Sequence, residues 1–231
     1  MGFIVKNTTL LNPIELIAPH SCRGCGSIGS PLCERCKNNI YLERQDICPN
    51  CKAPKAGHKC EHCSALPPIF AIGDRASLMG KLVHDYKYSS VRALGRGLSD
   101  LANMVLPNFI GRVVLVPLPT ISRHVRERGF DHTLDLARRL VRMRDGWSVE
   151  LALERARNTV QVGASETARL TQAKHAFKIN PKIQLNETTT YLLLDDVWTT
   201  GASMKAANKI LSKAGAKKIA MLILAISQTS R

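Results

Sequence analysis

The chain has 231 residues and an apolar fraction of 45%, enough for one substantial core with a small accessory module. Its 33 Lys and Arg against 18 Asp and Glu give a formal net charge of +15, which favours anionic partners, either phosphorylated small molecules or nucleic acid. No apolar run approaches the roughly 20 residues of a membrane-spanning helix. The opening stretch GFIVKNTTLLNPIELIAPHSC is interrupted by Asn12, Pro13 and Glu15 and lacks a small-residue cleavage pattern, so a cytoplasmic location is expected. The same stretch predicts a short helix: Asn12 caps it, Pro13 suits its first position, Glu15 completes a capping box and Pro19 stops it.

All 8 cysteines follow, as four C-x-x-C pairs: Cys22 with Cys25, Cys33 with Cys36, Cys48 with Cys51, and Cys60 with Cys63. Two thiolates two residues apart form a tight knuckle, and two knuckles complete a tetrahedral zinc site. The rival, disulfides in a secreted module, is disfavoured by the cysteine-free remainder and the missing signal peptide. One or two structural zinc ions are therefore expected. Two consecutive four-cysteine ribbons are the preferred connectivity and an interleaved cross-brace the alternative. His20, His58 and His62 are bystanders where eight thiolates are available. With no apolar core of its own in view, the module would draw its folding energy from metal and serve a structural or partner-binding role.

SALPPIF, residues 64–70, reads as a linker because its two prolines enforce extended backbone. The expected division is thus an N-terminal helix and zinc module over 1–66 and a second domain over 67–231. In that domain, residues 77–106 carry helical periodicity broken near Ser89 and Ser90, and VVLVPLP (113–119) reads as a buried strand stopped by proline. Helical spacing returns from Asp131 to Arg144, and residues 155–182 are polar and basic without a clean period. Strand YLLLD (191–195), helix 203–215 closed by Gly215, and strand 217–226 complete the pattern. Strands alternating with helices predict an α/β fold, a parallel sheet flanked by helices.

Ligands of such sheets bind beyond the carboxyl ends of the strands. Asp195 and Asp196 stand there, followed by the turn VWTTGAS. The amides and hydroxyls of Thr199, Thr200, Gly201, Ala202 and Ser203 gather at a helix N-terminus, where phosphate is favoured. Carboxylates repel phosphate but accept hydrogen bonds from a vicinal diol, so the pair beside the turn describes a ribose 5-phosphate site. The bland alternative is that the aspartates only cap the helix. Neither the P-loop pattern nor the dinucleotide-binding glycine pattern is present.

LLLDDVWTTGAS resembles the phosphoribosyl-pyrophosphate (PRPP) loop of type I phosphoribosyltransferases. The resemblance implies that fold, with a small hood, and implies that Asp195 and Asp196 contact the ribose hydroxyls while Thr199, Thr200, Gly201, Ala202 and Ser203 hold the 5-phosphate. Mg²⁺ would be bound mainly by pyrophosphate and ribose oxygens, as suits a hard cation. The four-knuckle module, HDYKYSS (84–90), VPLPTISRHVRERGFDHTLDLA (116–137), ERARNTVQ (154–161), ETARLTQAKHAF (166–177) and the aspartate loop, in that order, resemble the ComF family over nearly the whole chain. Proteins of that family are linked to natural competence, the uptake of transforming DNA. The resemblance places Lys87, Arg123, Arg126 and Arg128 toward pyrophosphate, for which guanidinium forks are suited, and Arg155, Arg157 and Arg169 in the hood where an acceptor would be recognised. It implies Mg²⁺-dependent displacement of pyrophosphate from PRPP through an oxocarbenium-like transition state. The alternative is a non-catalytic factor that binds single-stranded DNA or RNA, with a regulatory or vestigial PRPP pocket. Partners among DNA-uptake proteins, and through them a peripheral place at the inner membrane, are further expectations. Three departures stand out: RGFDH (128–132) where the family usually reads RGFNQ, Gln172 in place of a second Asn, and Thr199 where purine enzymes often carry an aspartate base.

Overall fold

A computed structural model describes residues 20–55, 57, 59–88, 91–156 and 176–227. The expected N-terminal helix, His58, and the hood positions Arg157, Arg169 and Gln172 lie outside the described residues.

In chain order the elements are α1 (Glu34–Leu42), a 3-10 turn (Glu61–Cys63), β1 (Ile69–Asp74), α2 (Leu78–Tyr88), α3 (Leu94–Val105), β2 (Val113–Pro117), α4 (Ser122–Arg128), α5 (His132–Val141), β3 (Trp147–Val149), β4 (Leu153–Arg155), β5 (Phe177–Ile179), β6 (Thr190–Trp198), α6 (Ala202–Lys213) and β7 (Lys218–Ile226). Five strands form one sheet in the order β1-β7-β6-β2-β3, every pair parallel. β4 and β5 make a separate antiparallel pair.

Side chains alternate across a strand, so a sheet covered on both faces needs apolar residues throughout. On β2, Val113 and Leu115 join one apolar cluster and Val114 and Val116 the other. The first cluster holds α2, α3 and α5 against the sheet. α3 contributes Leu94, Leu98, Leu101, Ala102 and Val105, a stripe at helical spacing. The second cluster buries Met204, Ala207 and Leu211 of α6, with Leu153 and Phe177 from the small sheet. The expected parallel sheet flanked by helices is thus present, and the break near Ser89 falls between α2 and α3.

Two expectations need correction. Ile69 and Phe70 belong to edge strand β1, not to a linker: Pro67 and Pro68 run into the strand, and the Pro68 carbonyl accepts from the Met221 amide at 2.9 Å. Proline is tolerated there because an edge strand leaves one side unpaired. The cysteine module also does not stand apart from an apolar core. Cys22, Leu32, Cys36 and Ile40 are buried in the same cluster as α2 and α3. Leu32 packs so closely on Gly97 that an added Cβ there would lie 2.9 Å from it. Buried Lys37 on α1 donates to Asp100 on α3 at 2.6 Å, fixing the contact with a charge-assisted bond.

Candidate functional site

The site grows from an inequality in strand length. β2 stops at Pro117, opposite Leu194, and the Leu118 amide closes the pair on the Leu194 carbonyl at 2.9 Å. On its other side β6 stays paired with β7 as far as Trp198 opposite Ile226. β6 therefore runs past β2, and Asp195 and Asp196 lie along the projecting lip. The aspartates sit within the last part of the strand, whereas the sequence placed them at its end.

A cleft of about 240 Å³ opens over this lip, lined by Lys87 and Tyr88 from α2, residues 118–121, Arg128, His132, Arg155 and both aspartates. Successive strand residues face opposite ways. Asp196 meets the helices, where one carboxylate oxygen accepts from His132 Nε2 and from the Lys87 ammonium. Burial alone would push Asp196 up, but the His132 hydrogen bond and the Lys87 charge outweigh it and hold the group well below the usual carboxylate range. Asp195 behaves oppositely. Burial first, then the charge of Asp196, pushes it up to about 7, against the Asp196 amide donated to it at 2.9 Å. Two adjacent carboxylates are thus driven apart in proton affinity by their different faces.

Arg128 ends α4, with Gly129 (φ 77°) stopping the helix behind it. Its guanidinium lies 4.7 Å from the Tyr88 ring centre and donates to His132 Nδ1 at 3.1 Å, while its buried Nε has no partner among the described residues. Arg123 and Arg126 do not line the cleft: Arg123 pairs with Glu127 at 2.7 Å on the exposed side of α4, and Arg126 is exposed. Arg155 borders Asp195, donates to the Pro119 carbonyl at 3.0 Å and stacks 5.5 Å from the Phe177 ring centre. Asp131 is not a free charge facing a phosphate. It caps α5, accepting from the Leu134 amide at 3.2 Å and from the hydroxyls of Thr120 and Thr133 at 3.0 and 2.9 Å. Sequence reasoning gave His132 no role, and its only signal was the departure from Gln at that place.

The turn from β6 to α6 leaves Thr199 and Thr200 exposed. Gly201 is required: its φ is 71°, and an added Cβ would lie 2.0 Å from the buried Trp198 ring. The Ala202 amide donates to Thr200 Oγ1 at 3.3 Å, and Lys205 donates to the Thr200 carbonyl at 3.2 Å.

Each ribbon gathers four consecutive cysteines, Cys22, Cys25, Cys33 and Cys36 in one and Cys48, Cys51, Cys60 and Cys63 in the other, with sulfurs all within 4.8 Å. Four thiolates around one zinc at ~2.3 Å lie ~3.8 Å apart. Cys25 and Cys33 are separated by 3.6 Å, and Cys51 and Cys60 by 3.5 Å, so each cluster could hold a structural zinc ion. The arrangement is the consecutive one, and no histidine joins either set among the described residues. A larger hollow of about 490 Å³ lies between the first ribbon and the open edge of β1. Its lining mixes Arg35 and Arg44 with Glu43, Asp74 and apolar side chains, and it gathers none of the cleft residues.

No helix among the described residues is long and apolar enough to cross a membrane. No protein-family model matches the chain. It is similar to competence protein F of Haemophilus influenzae, 23% identical over 81% of this chain and 93% of that protein. It is also similar to the competence proteins ComFC of Streptococcus pneumoniae, 23% identical over 82% and 85% of the two chains, and of Bacillus subtilis, 26% identical over 80% and 79%. Among solved structures it matches an allosteric regulatory enzyme of purine biosynthesis with TM-score 0.39 and 17% identity, covering 61% of this chain and only 30% of that one. A hypoxanthine phosphoribosyltransferase from Staphylococcus aureus matches with TM-score 0.33 and 14% identity, over 62% of each chain.

Proposed function

With the resemblance to the ComF family carried by three curated competence proteins over about four fifths of the chain, we propose that this protein binds PRPP in the cleft beside β6 and acts in natural competence. The observation that carries the reading is the adjacent pair Asp195 and Asp196 on the lip, followed within a few residues by the Gly201 turn. The carboxylates accept the ribose hydroxyls, and the turn residues Thr199 to Ser203 take the 5-phosphate at the start of α6.

In this reading the charges of the site are paired with one another. Lys87 occupies Asp196, and a ribose hydroxyl that replaces it frees the ammonium for pyrophosphate. Arg128 contributes a second cation within the cleft, while Arg123 would have to leave Glu127 to join it. Magnesium, when bound with the substrate, supplies charge neutralisation on pyrophosphate and ribose oxygens. The chain's own work is positioning and stabilisation of the departing charge. Pyrophosphate leaves C1 as an oxocarbenium-like centre develops, and a nitrogen nucleophile takes its place. Thr199 supplies no base at neutral pH. Structural zinc in both ribbons holds the N-terminal part of the fold.

Calorimetric titration with PRPP and Mg²⁺ tests the reading. Binding is expected in the native chain and is expected to vanish in the double variant Asp195→Asn, Asp196→Asn. An unchanged titration in that variant would remove the assignment.

A second reading draws on Tyr88, 58% exposed at the cleft rim with Arg128 against its ring. An exposed aromatic beside cations suits a base of single-stranded nucleic acid. Binding of single-stranded DNA across a salt series should then weaken steeply with salt, and weaken further in Tyr88→Ala; a flat salt response would dismiss it.

A further inference from the structure

The sequence departs from its family at His132, and the cleft gives that residue a contact on each ring nitrogen. His132 is 5% exposed. Its Nε2 meets Asp196 and its Nδ1 meets a terminal nitrogen of Arg128 at 3.1 Å. A guanidinium has donors and no acceptor. Nδ1 must therefore present its lone pair to Arg128, and the ring proton sits on Nε2, donated to the carboxylate. The partners themselves select the tautomer, a neutral ring that accepts on one side and donates on the other.

The two groups so joined serve different parts of the proposed ligand. Asp196 accepts from ribose, and Arg128 faces pyrophosphate. We propose that His132 is a positioning residue, a rigid strut between Asp196 and Arg128 that sets the ribose and pyrophosphate subsites in one geometry; the proposal rests on the PRPP reading above. Three features support it. The backbone that carries the ring is held in place, since the Tyr86 hydroxyl, which donates to Asp135 at 2.7 Å, lies 3.3 Å from the His132 carbonyl. The Arg128 Nε has no partner among the described residues, so the guanidinium is aimed by His132 and by the Tyr88 ring rather than by a carboxylate. Asp196 also carries two donors of different kinds. Lys87 reaches it on a flexible stem and can leave for phosphate, whereas the His132 ring is buried on a short stem and stays.

The strut differs from a packing role in what can replace it. A glutamine at 132 offers a carbonyl oxygen to Arg128 and an amide proton to Asp196, the same acceptor and donor. A leucine fills similar volume and offers neither. The experiment measures PRPP affinity, with Mg²⁺, in the native chain, in His132→Gln, His132→Leu and Arg128→Gln, and in the double variant Arg128→Gln, His132→Leu. Zinc content and thermal unfolding of each are recorded alongside. His132→Leu is expected to weaken PRPP at least about tenfold, as coupled neighbours do, while His132→Gln stays within about threefold of the native chain. The double variant is expected to bind no more weakly than Arg128→Gln alone, because with Arg128 gone the strut has one end free.

Losses that multiply in the double variant, or a glutamine that binds as poorly as leucine, overturn the strut and leave PRPP binding standing. Absence of PRPP binding in the native chain overturns both. If His132→Leu does not fold, His132→Asn takes its place: it keeps one donor and one acceptor on a side chain too short to reach both partners, and binding equal to that of His132→Gln would then overturn the strut.

Discussion

The two ribbons carry the same ligand pattern and stand in different relations to the rest of the molecule. The first is built into the core: Cys22 and Cys36 are buried beside Leu32 and Ile40 in the cluster that packs α2 and α3, and Lys37 ties α1 to Asp100. Cys48 is the one buried sulfur of the second, which contributes no member to either buried cluster. Its attachment is polar, through Lys55 to the Ile69 carbonyl at 2.7 Å and Lys52 to the Ser227 carbonyl at 3.2 Å. Four thiolates around a metal fold whatever they are joined to. What the metal stabilises depends on the apolar residues between the knuckles, not on the knuckles.

The largest expected effect separates the ribbons directly. Cys22→Ser with Cys36→Ser should lose one zinc equivalent and with it the cooperative fold, since a structural zinc site contributes on the order of the whole ~5–15 kcal/mol margin of a domain. Cys48→Ser with Cys63→Ser should lose the other equivalent, keep the far-ultraviolet spectrum of the sheet and keep PRPP binding. Metal analysis and melting curves check both. Equal melting losses in the two variants would erase the distinction.

A smaller effect concerns pH. Asp195 is pushed up to about 7 by burial and by Asp196. Between the ordinary carboxylate range and that value, the unfolded chain has released this proton while the folded protein still holds it. Stability from this group is therefore full at low pH and is lost as pH rises toward 7. Asp196, held down to about 2, contributes the reverse: stability present above the ordinary range and lost as pH falls toward that value. The melting temperature of the free protein should decline from about pH 5 to about pH 8 by more in the native chain than in Asp195→Asn. The second-ribbon variant should retain the decline, because Asp195 belongs to the sheet; its disappearance there would mean that the second ribbon, too, is part of the core.

The smallest effect lies in the knuckles. Gly26 and Lys52 occupy corresponding places after Cys25 and Cys51, both at positive φ, 77° and 65°. A lysine there costs about 1–2 kcal/mol that glycine does not. Lys52→Gly should raise stability by a fraction of that cost, since it also gives up the bond to Ser227. A lowered melting temperature would show that the attachment outweighs the backbone.

The sequence was most legible where one residue type answers one demand. Eight thiolates in pairs announced metal, and apolar runs announced β2, β6 and β7, the first ending in proline and the second carrying the aspartates. β1 was missed because prolines at an edge look like a linker, and β3, β4 and β5, at three residues each, are too short for a period. The docking of the first ribbon was hidden because Leu32 and Ile40 are two apolar residues among many until α3 is placed against them. In the cleft, Lys87, Arg128 and the two adjacent aspartates come together from three separated stretches of the chain. Arg123 does not, because helical spacing turns it toward Glu127. The capping role of Asp131 was hidden for want of its partners, the Leu134 amide and the Thr120 and Thr133 hydroxyls.

The glycine at 201 has one more consequence. The turn that would take the 5-phosphate lies against the indole of Trp198, which is 1% exposed, and Lys205 stands 5.7 Å from that ring while bonded to Thr200. Any ligand that draws Lys205 or Thr200 changes the electric field at a buried chromophore. The chain has 2 tryptophans, so Trp147→Phe leaves a single indole emitter, and occupancy of the turn becomes a change of colour and intensity in a cuvette, without label or chemistry.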